Sequence, residues 1–146
     1  MIKNFLNNHK DLGILVLRLG IGIPFILVYG LFKVESGPDM WTQIGSAMGN
    51  LGITFFPTFW GVMAAMSEFI GGILLVLGLF VRPAALFMSI TMSVAAIQHF
   101  SIQDQWYNVV TPLEMLSVFI AIIFLSAGKY SLDHLFFGKR GKRNRR

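Results

Sequence analysis

Six side chains able to bind, donate or carry a proton sit within or beside otherwise apolar stretches: Arg18, Tyr29, Lys33, Glu68, His99 and Glu114. Glu68 poses the sharpest problem. From Val62 to Val81 every other residue is apolar or small. A carboxylate at the centre of a bilayer costs about 2.5 kcal/mol or more unless it is paired or protonated, so it must face something other than lipid. On a helix Gly61, Ala65, Glu68 and Gly72 fall on one stripe. Small residues let helix backbones approach closely, so this stripe is expected to face other helices.

Three further stripes have the same construction. Arg18, Gly22, Phe25, Tyr29 and Lys33 share a face, as do Ser89, Met92, Ala96 and His99, and Glu114, Ser117 and Ala121. Arg18 lies about 9 Å in from one edge at a helical rise of 1.5 Å per residue. Its long side chain is expected to reach Glu68 as an ion pair, with proton or substrate contact as the functional role and fixing of helix register as the plain structural one. Lys33, His99 and Glu114, with Tyr29 and Gln98 nearby, are expected to form a second cluster at the opposite edge. A polar path would then run from Arg18 through Glu68 to that cluster. Such a set suits a quinone headgroup: its carbonyls take hydrogen-bond donors, and its reduction takes a proton that a His or Glu can supply. The plain alternative for His99 is an interfacial anchor.

Other chemistries find no support. The chain has no cysteine, which removes disulfides, iron–sulfur ligation and thiol chemistry. Bis-histidine haem ligation is not expected, because His9 and His134 lie outside the apolar runs and leave only His99. No metal site is expected, since the two carboxylates and one histidine differ in depth. No nucleophile–base pair, phosphate loop or dinucleotide fingerprint occurs, and "GIGIP" is not a match to one. No catalytic residue is assigned.

The elements that must hold these groups follow from hydropathy. The chain of 146 residues is 55% hydrophobic and 13% charged, with a mean hydropathy of +0.67. Soluble domains carry about a quarter charged residues, so an integral membrane protein is indicated. Four runs are long enough to span about 30 Å as helices, at about 12–32, 58–80, 84–101 and 109–127. The apolar lead at the N-terminus continues to Phe32 with no small-residue cleavage site, and reads as an uncleaved first span. Pro57, Pro83 and Pro112 mark helix starts, and Pro24 is expected to kink the first span. The expected fold is all-α, an antiparallel four-helix membrane bundle with a polar interior. A short surface helix is expected in the first external loop, 33–57, lying on the bilayer or capping the bundle. The domain is assigned to 1–137 and a basic tail to 138–146, where six of the last eight residues are Lys or Arg. With Lys3, Lys10 and Arg82, that tail puts both termini in the cytoplasm of a multi-pass inner, or cell, membrane protein. It is a topology signal that also meets lipid headgroups. No folded basic surface accompanies it, so no nucleic-acid partner is expected. Ser131 and Asp133 are expected to cap a short helix after the last span.

Three stretches, "LRLGIGIPFILVYGLFKV", "SEFIGGILLVLGLFVRPAAL" and "GKYSLDHLF", carry a resemblance to a known family. The most specific piece is E-x-x-G-G-x-L-L-x-x-G-L-x-x-R from Glu68 to Arg82. The sequence resembles the DoxX family of small four-helix membrane proteins, across nearly all of the chain except the tail. The resemblance marks Arg18, Lys33, Glu68, Gly71, Gly72, Gly78, Arg82 and Asp133, without giving any of them a chemical role. It implies a membrane subunit of a quinone-linked oxidoreductase, such as those oxidising thiosulfate, or a component of complexes in oxidative-stress defence. The expectation is a chain without a cofactor of its own, with quinone as diffusible partner and a redox subunit or second copy as protein partner. Two rivals stand beside it: a small transporter or proton-conducting protein, and a membrane assembly module without chemistry.

Overall fold

The structure, a computed structural model, describes residues 2–137; the basic tail at 138–146 lies outside the described residues. Among these no strand occurs. Four helical stretches are long and apolar enough to cross a membrane: His9–Glu35, Pro57–Leu77, Val81–Ser101 and Trp106–Leu125. The chain is an all-α, multi-pass membrane protein.

The first stretch is not one regular helix. α1 (Ile2–Pro24) passes into a π-helical segment, Phe25–Gly30, and then α2 (Leu31–Glu35). Pro24 has no N–H to give to the preceding turn, and widened turns commonly sit where the regular ladder is interrupted. The widened turn has a consequence for facing. Phe25 is buried, and the next buried residue is Gly30, five positions on, while Tyr29 is exposed. A spacing of four would have kept Tyr29 inside; the wider turn puts Gly30 there instead.

After Gly37, which has φ +82°, α3 (Pro38–Gly45) begins with Pro38 at its first position and continues into a 3-10 turn, Ser46–Leu51. This is the short helix expected in the first external loop. It seats on α4 (Pro57–Leu77) so closely that a Cβ on Gly45 would overlap the Pro57 carbonyl, and one on Gly61 the Trp41 carbonyl. The contacts along α4 keep one antiparallel register across the break. Gly22 meets Gly72 and Val76, Gly30 meets Phe69, Lys33 meets Glu68, Trp41 meets Gly61, and Gly45 meets Pro57. α3 thus takes over from α2 along the half of α4 that α2 does not reach. The Trp41 indole N–H donates to the Lys33 carbonyl at 2.7 Å, satisfying one of the acceptors that the end of α2 leaves open.

α5 (Val81–Ser101) and α6 (Trp106–Leu125) complete the bundle, and α7 (Leu132–Phe137) follows. α6 starts at Trp106, so Pro112 lies within it and does not mark its start. The local bonds explain this: Asp104 accepts from Gln105 N and from Asn108 Nδ2, at 2.7 and 3.0 Å, and fixes the first turn ahead of the proline. α4 packs between α1 and α5, and α5 against α6. Phe25, Leu75, Val81, Ala85, Met88, Met92, Phe119, Ile122 and Ala127 form one core. Phe25 stacks edge-on to Phe119 across the bundle, with ring centres 5.2 Å apart.

Candidate functional site

Two cationic groups enter the bundle, at different levels and in different company. Arg18 is 1% exposed. Its Nε donates to the Leu75 carbonyl at 2.8 Å and Nη2 to Val76 at 3.1 Å, while Nη1 donates to Ala127 at 2.6 Å and Tyr130 at 3.0 Å. Leu75 and Val76 belong to the last turn of α4, and Ala127 follows the end of α6. The Val76 carbonyl is one that a helix terminus leaves without a partner, at the negative end of the helix dipole; the Leu75 carbonyl also accepts from Gly78 N at 3.2 Å, and Ala127 and Tyr130 lie in the link between α6 and α7. A planar guanidinium with five donors suits such a forked cage. The expected Arg18–Glu68 pair is therefore corrected. Arg18 lies at the level of the α4 terminus, and its donors are taken by carbonyls there.

Gly78, at φ +68°, ends α4 in the left-handed conformation that glycine adopts without a Cβ penalty. A Cβ there would also run into the Arg18 guanidinium. The Asp133 backbone N–H donates to the Gly78 carbonyl at 2.9 Å. The Asp133 carboxylate accepts from Phe80 N and Val81 N at 2.8 and 3.1 Å, so it caps the start of α5. The cap of α7 is Ser131, whose Oγ accepts from His134 N at 3.1 Å.

Glu68 is the acid inside the bundle. It is 1% exposed, and both carboxylate oxygens accept from Lys33 Nζ at 2.6 Å. Lys33 is 26% exposed. Gly61, Ala65 and Gly72, the small residues of the same stripe, are buried as well, which brings α2 and α3 close enough for a lysine to reach the middle of α4. On the neighbouring edge the Thr91 hydroxyl donates to Ser67 Oγ at 3.0 Å. An ammonium–carboxylate pair with one member at the surface has a defined chemical capacity. The ammonium can donate to an incoming carbonyl oxygen, and the carboxylate can take or give a proton.

The expected second cluster does not assemble. Lys33 is bound to Glu68. His99 Nδ1 pairs instead with Asp104 Oδ2 at 2.7 Å, across the α5–α6 turn. Gln98 accepts from Asn50 at 2.5 Å, holding the 3-10 turn to α5. The Asp104 carboxyl is held below the usual range by Asn108, and then by His99 and the Gln105 N–H. Tyr29 points outward, its ring 5.1 Å from that of Phe25. Glu114 is exposed together with Ser117 and Ala121, so the stripe expected to line the interior on α6 lies on its outer face. Phe119 and Ile122 are the residues that turn inward there.

Among the described residues no three His, Asp or Glu side chains gather as for a metal ion. Two surface grooves lie away from Lys33 and Glu68. One, of about 560 Å³, runs between α1 and α6 past Lys10, Ile14, Leu17 and Phe124. The other, of about 330 Å³, runs beside α7. Sequence reasoning missed Trp41, Asp104 and Asn108. Asp104 four residues before Asn108, just ahead of an apolar run, is a helix-start signal that reading Pro112 as the start had masked.

The model of the DoxX family matches residues 13–101, from the first turns of the first span to the end of α5. No curated protein and no solved structure matches the chain.

Proposed function

From its membership of the DoxX family of membrane proteins, we infer that this chain is a cofactor-free subunit of a quinone-linked membrane oxidoreductase system, with Lys33 and Glu68 as its headgroup site. The observation that carries the reading is the pair itself: a buried carboxylate in the middle of α4, held by an ammonium that reaches the bundle surface. Ionisable groups within membrane spans are functional candidates by default.

Reduction of a quinone to the quinol takes two electrons and two protons, one onto each carbonyl oxygen. The electrons come from a redox-active partner subunit. Lys33 turns part of its hydrogen bonding from Glu68 to a quinone carbonyl and fixes the headgroup. The Lys33–Glu68 pair passes one proton to the carbonyl oxygen that Lys33 holds, water at the bundle surface gives the second to the far carbonyl oxygen, and water also reprotonates the pair. Quinol oxidation is the reverse, with Glu68 accepting. Positioned acid–base groups of this kind contribute about 10²–10⁴-fold. The test is electron transfer to a soluble quinone analogue in membranes carrying the native level of this chain. Glu68→Gln lowers turnover about a hundredfold on this reading; unchanged turnover in the variant ends it.

A proton-conducting role has less support. The buried side chains between the levels of Arg18 and Glu68, Phe25 and Leu75 among them, are apolar except Ser89, whose hydroxyl donates to the Ala85 carbonyl at 2.7 Å, and Arg18 is closed off by carbonyls. Lys10, Arg82 and Lys129 lie at the end of the bundle where α1 begins. By the positive-inside rule this supports a cell-membrane protein with both termini in the cytoplasm.

A further inference from the structure

One ionisable group within the spans is left over by the site described above. Glu114 is the ninth residue of α6, a helix of 20 residues, and so lies about 12 Å from its start along a length of about 30 Å. That is close to the middle of a hydrocarbon core about 30 Å thick. Glu114 is exposed and makes no hydrogen bond or ion pair among the described residues. A glutamate is too short to lift its carboxylate from that depth to the headgroups, and acids there are held against a cation, a donor or water. Ser117, one turn on, does not serve, because its hydroxyl donates to the Leu113 carbonyl at 3.0 Å.

The surroundings of Glu114 form a seat for a helix. Glu114, Ser117 and Ala121 run down the centre of the outer face, opposite the buried Phe119 and Ile122. Bulkier Leu113, Ile120 and Phe124 stand exposed along one flank. Small residues between larger ones admit the backbone of a neighbouring membrane helix.

Charge decides which helix. Away from the span ends the Lys and Arg side chains of this chain are Arg18, closed by four carbonyls, and Lys33, bound to Glu68. Lys10, Arg82 and Lys129 lie at the end of the bundle where α1 begins. A second copy could bring a cation to the depth of Glu114 only by drawing Lys33 away from Glu68, which would leave that buried carboxylate without its partner. We propose that the outer face of α6 docks a membrane-spanning helix of a different protein that carries a lysine or arginine near its midpoint, with Glu114 as its counter-ion. The proposal does not depend on the quinone reading, because it uses a different face and a different acid.

The chain has no cysteine, so Ser117→Cys gives a single attachment point for a short photo-cross-linker in native membranes. The expected adduct joins residue 117 to a spanning segment of another protein that holds a Lys or Arg in its middle turns. Glu114→Gln lowers the adduct yield about tenfold, the equivalent of about 1.4 kcal/mol. Glu114→Lys, combined with an acid in place of the partner's cation, restores it. Adducts confined to lipid, to a second copy of this chain or to a helix without a cation overturn the proposal. So does a yield unaffected by Glu114→Gln in protein that melts as the wild type does. Since the Ser117→Cys adduct identifies the occupant with Glu114 intact, the outcome does not depend on the folding of the Glu114 variants.

Discussion

Arg18 and Glu68 are equally buried, yet one is closed and the other open. Four carbonyls, two from the end of α4 and two from the link between α6 and α7, take four of the five N–H groups of the Arg18 guanidinium, and a cation so enclosed presents no exposed donor to a ligand. Its work is to join the end of α4 to that link, whose carbonyls would otherwise face each other. Glu68 has a single partner, and that partner is partly exposed. Burial of charge alone does not identify a site; what separates the two regions is whether a partner can be exchanged.

The contrast is broken most forcefully at Arg18. Arg18→Ala leaves four carbonyls facing one another, and a loss of about 3–5 kcal/mol is expected, the range for breaking a buried charged arrangement. Thermal unfolding in mild detergent measures it. Arg18→Lys recovers only part of the loss, since an ammonium cannot reproduce the planar fork.

Close behind stands the packing that delivers Lys33. Gly61→Leu places a side chain where the Trp41 carbonyl lies. It should displace α3, free the Lys33 carbonyl and cost about 1–3 kcal/mol as an overpacked contact. Protease access to the segment between α2 and α4 reads the displacement.

At the open site the effects on stability are smaller. Glu68→Gln keeps an acceptor for Lys33, whose ammonium also reaches the surface, so about 1–3 kcal/mol is expected. A double-mutant cycle of Glu68→Gln with Lys33→Met should show a coupling of about 0.5–3 kcal/mol; additivity of the two would mean that the pair is not formed.

The smallest effect belongs to Asp104 in the α5–α6 turn. Its carboxyl is held low, chiefly by Asn108. A depressed folded-state pKa gives stability that is complete above the ordinary aspartate range and lost as pH falls through the lowered value. Asp104→Asn should therefore lower stability slightly at neutral pH and converge with the wild type as pH falls, which flattens the acid limb of the stability curve.

The four spans were legible because each is a long apolar run, and the inward stripe of α4 because glycine and alanine flank Glu68 at helical spacing. The stripe on α6 has the same appearance and the opposite facing. Periodicity shows that residues share a face, without showing which way the face turns; Phe119 and Ile122 decided that through packing with α5. Tyr29 was misplaced for a backbone reason, since the π segment after Pro24 moves the inward position to Gly30. Arg18 was read as partner to Glu68 because sequence displays charged side chains and hides carbonyls. The backbone oxygens at the end of α4 and in the link after α6, which no residue letter records, hold it instead.

The quinone site is tested most directly by reagent access to the lysines of the purified protein. Amine-labelling rates are followed residue by residue, with and without a soluble quinone analogue. With a headgroup held at Lys33, the analogue slows labelling of Lys33 while Lys10 and Lys129 react as before. Labelling of Lys33 that ignores the analogue, or a slowing shared by all three lysines, would contradict it.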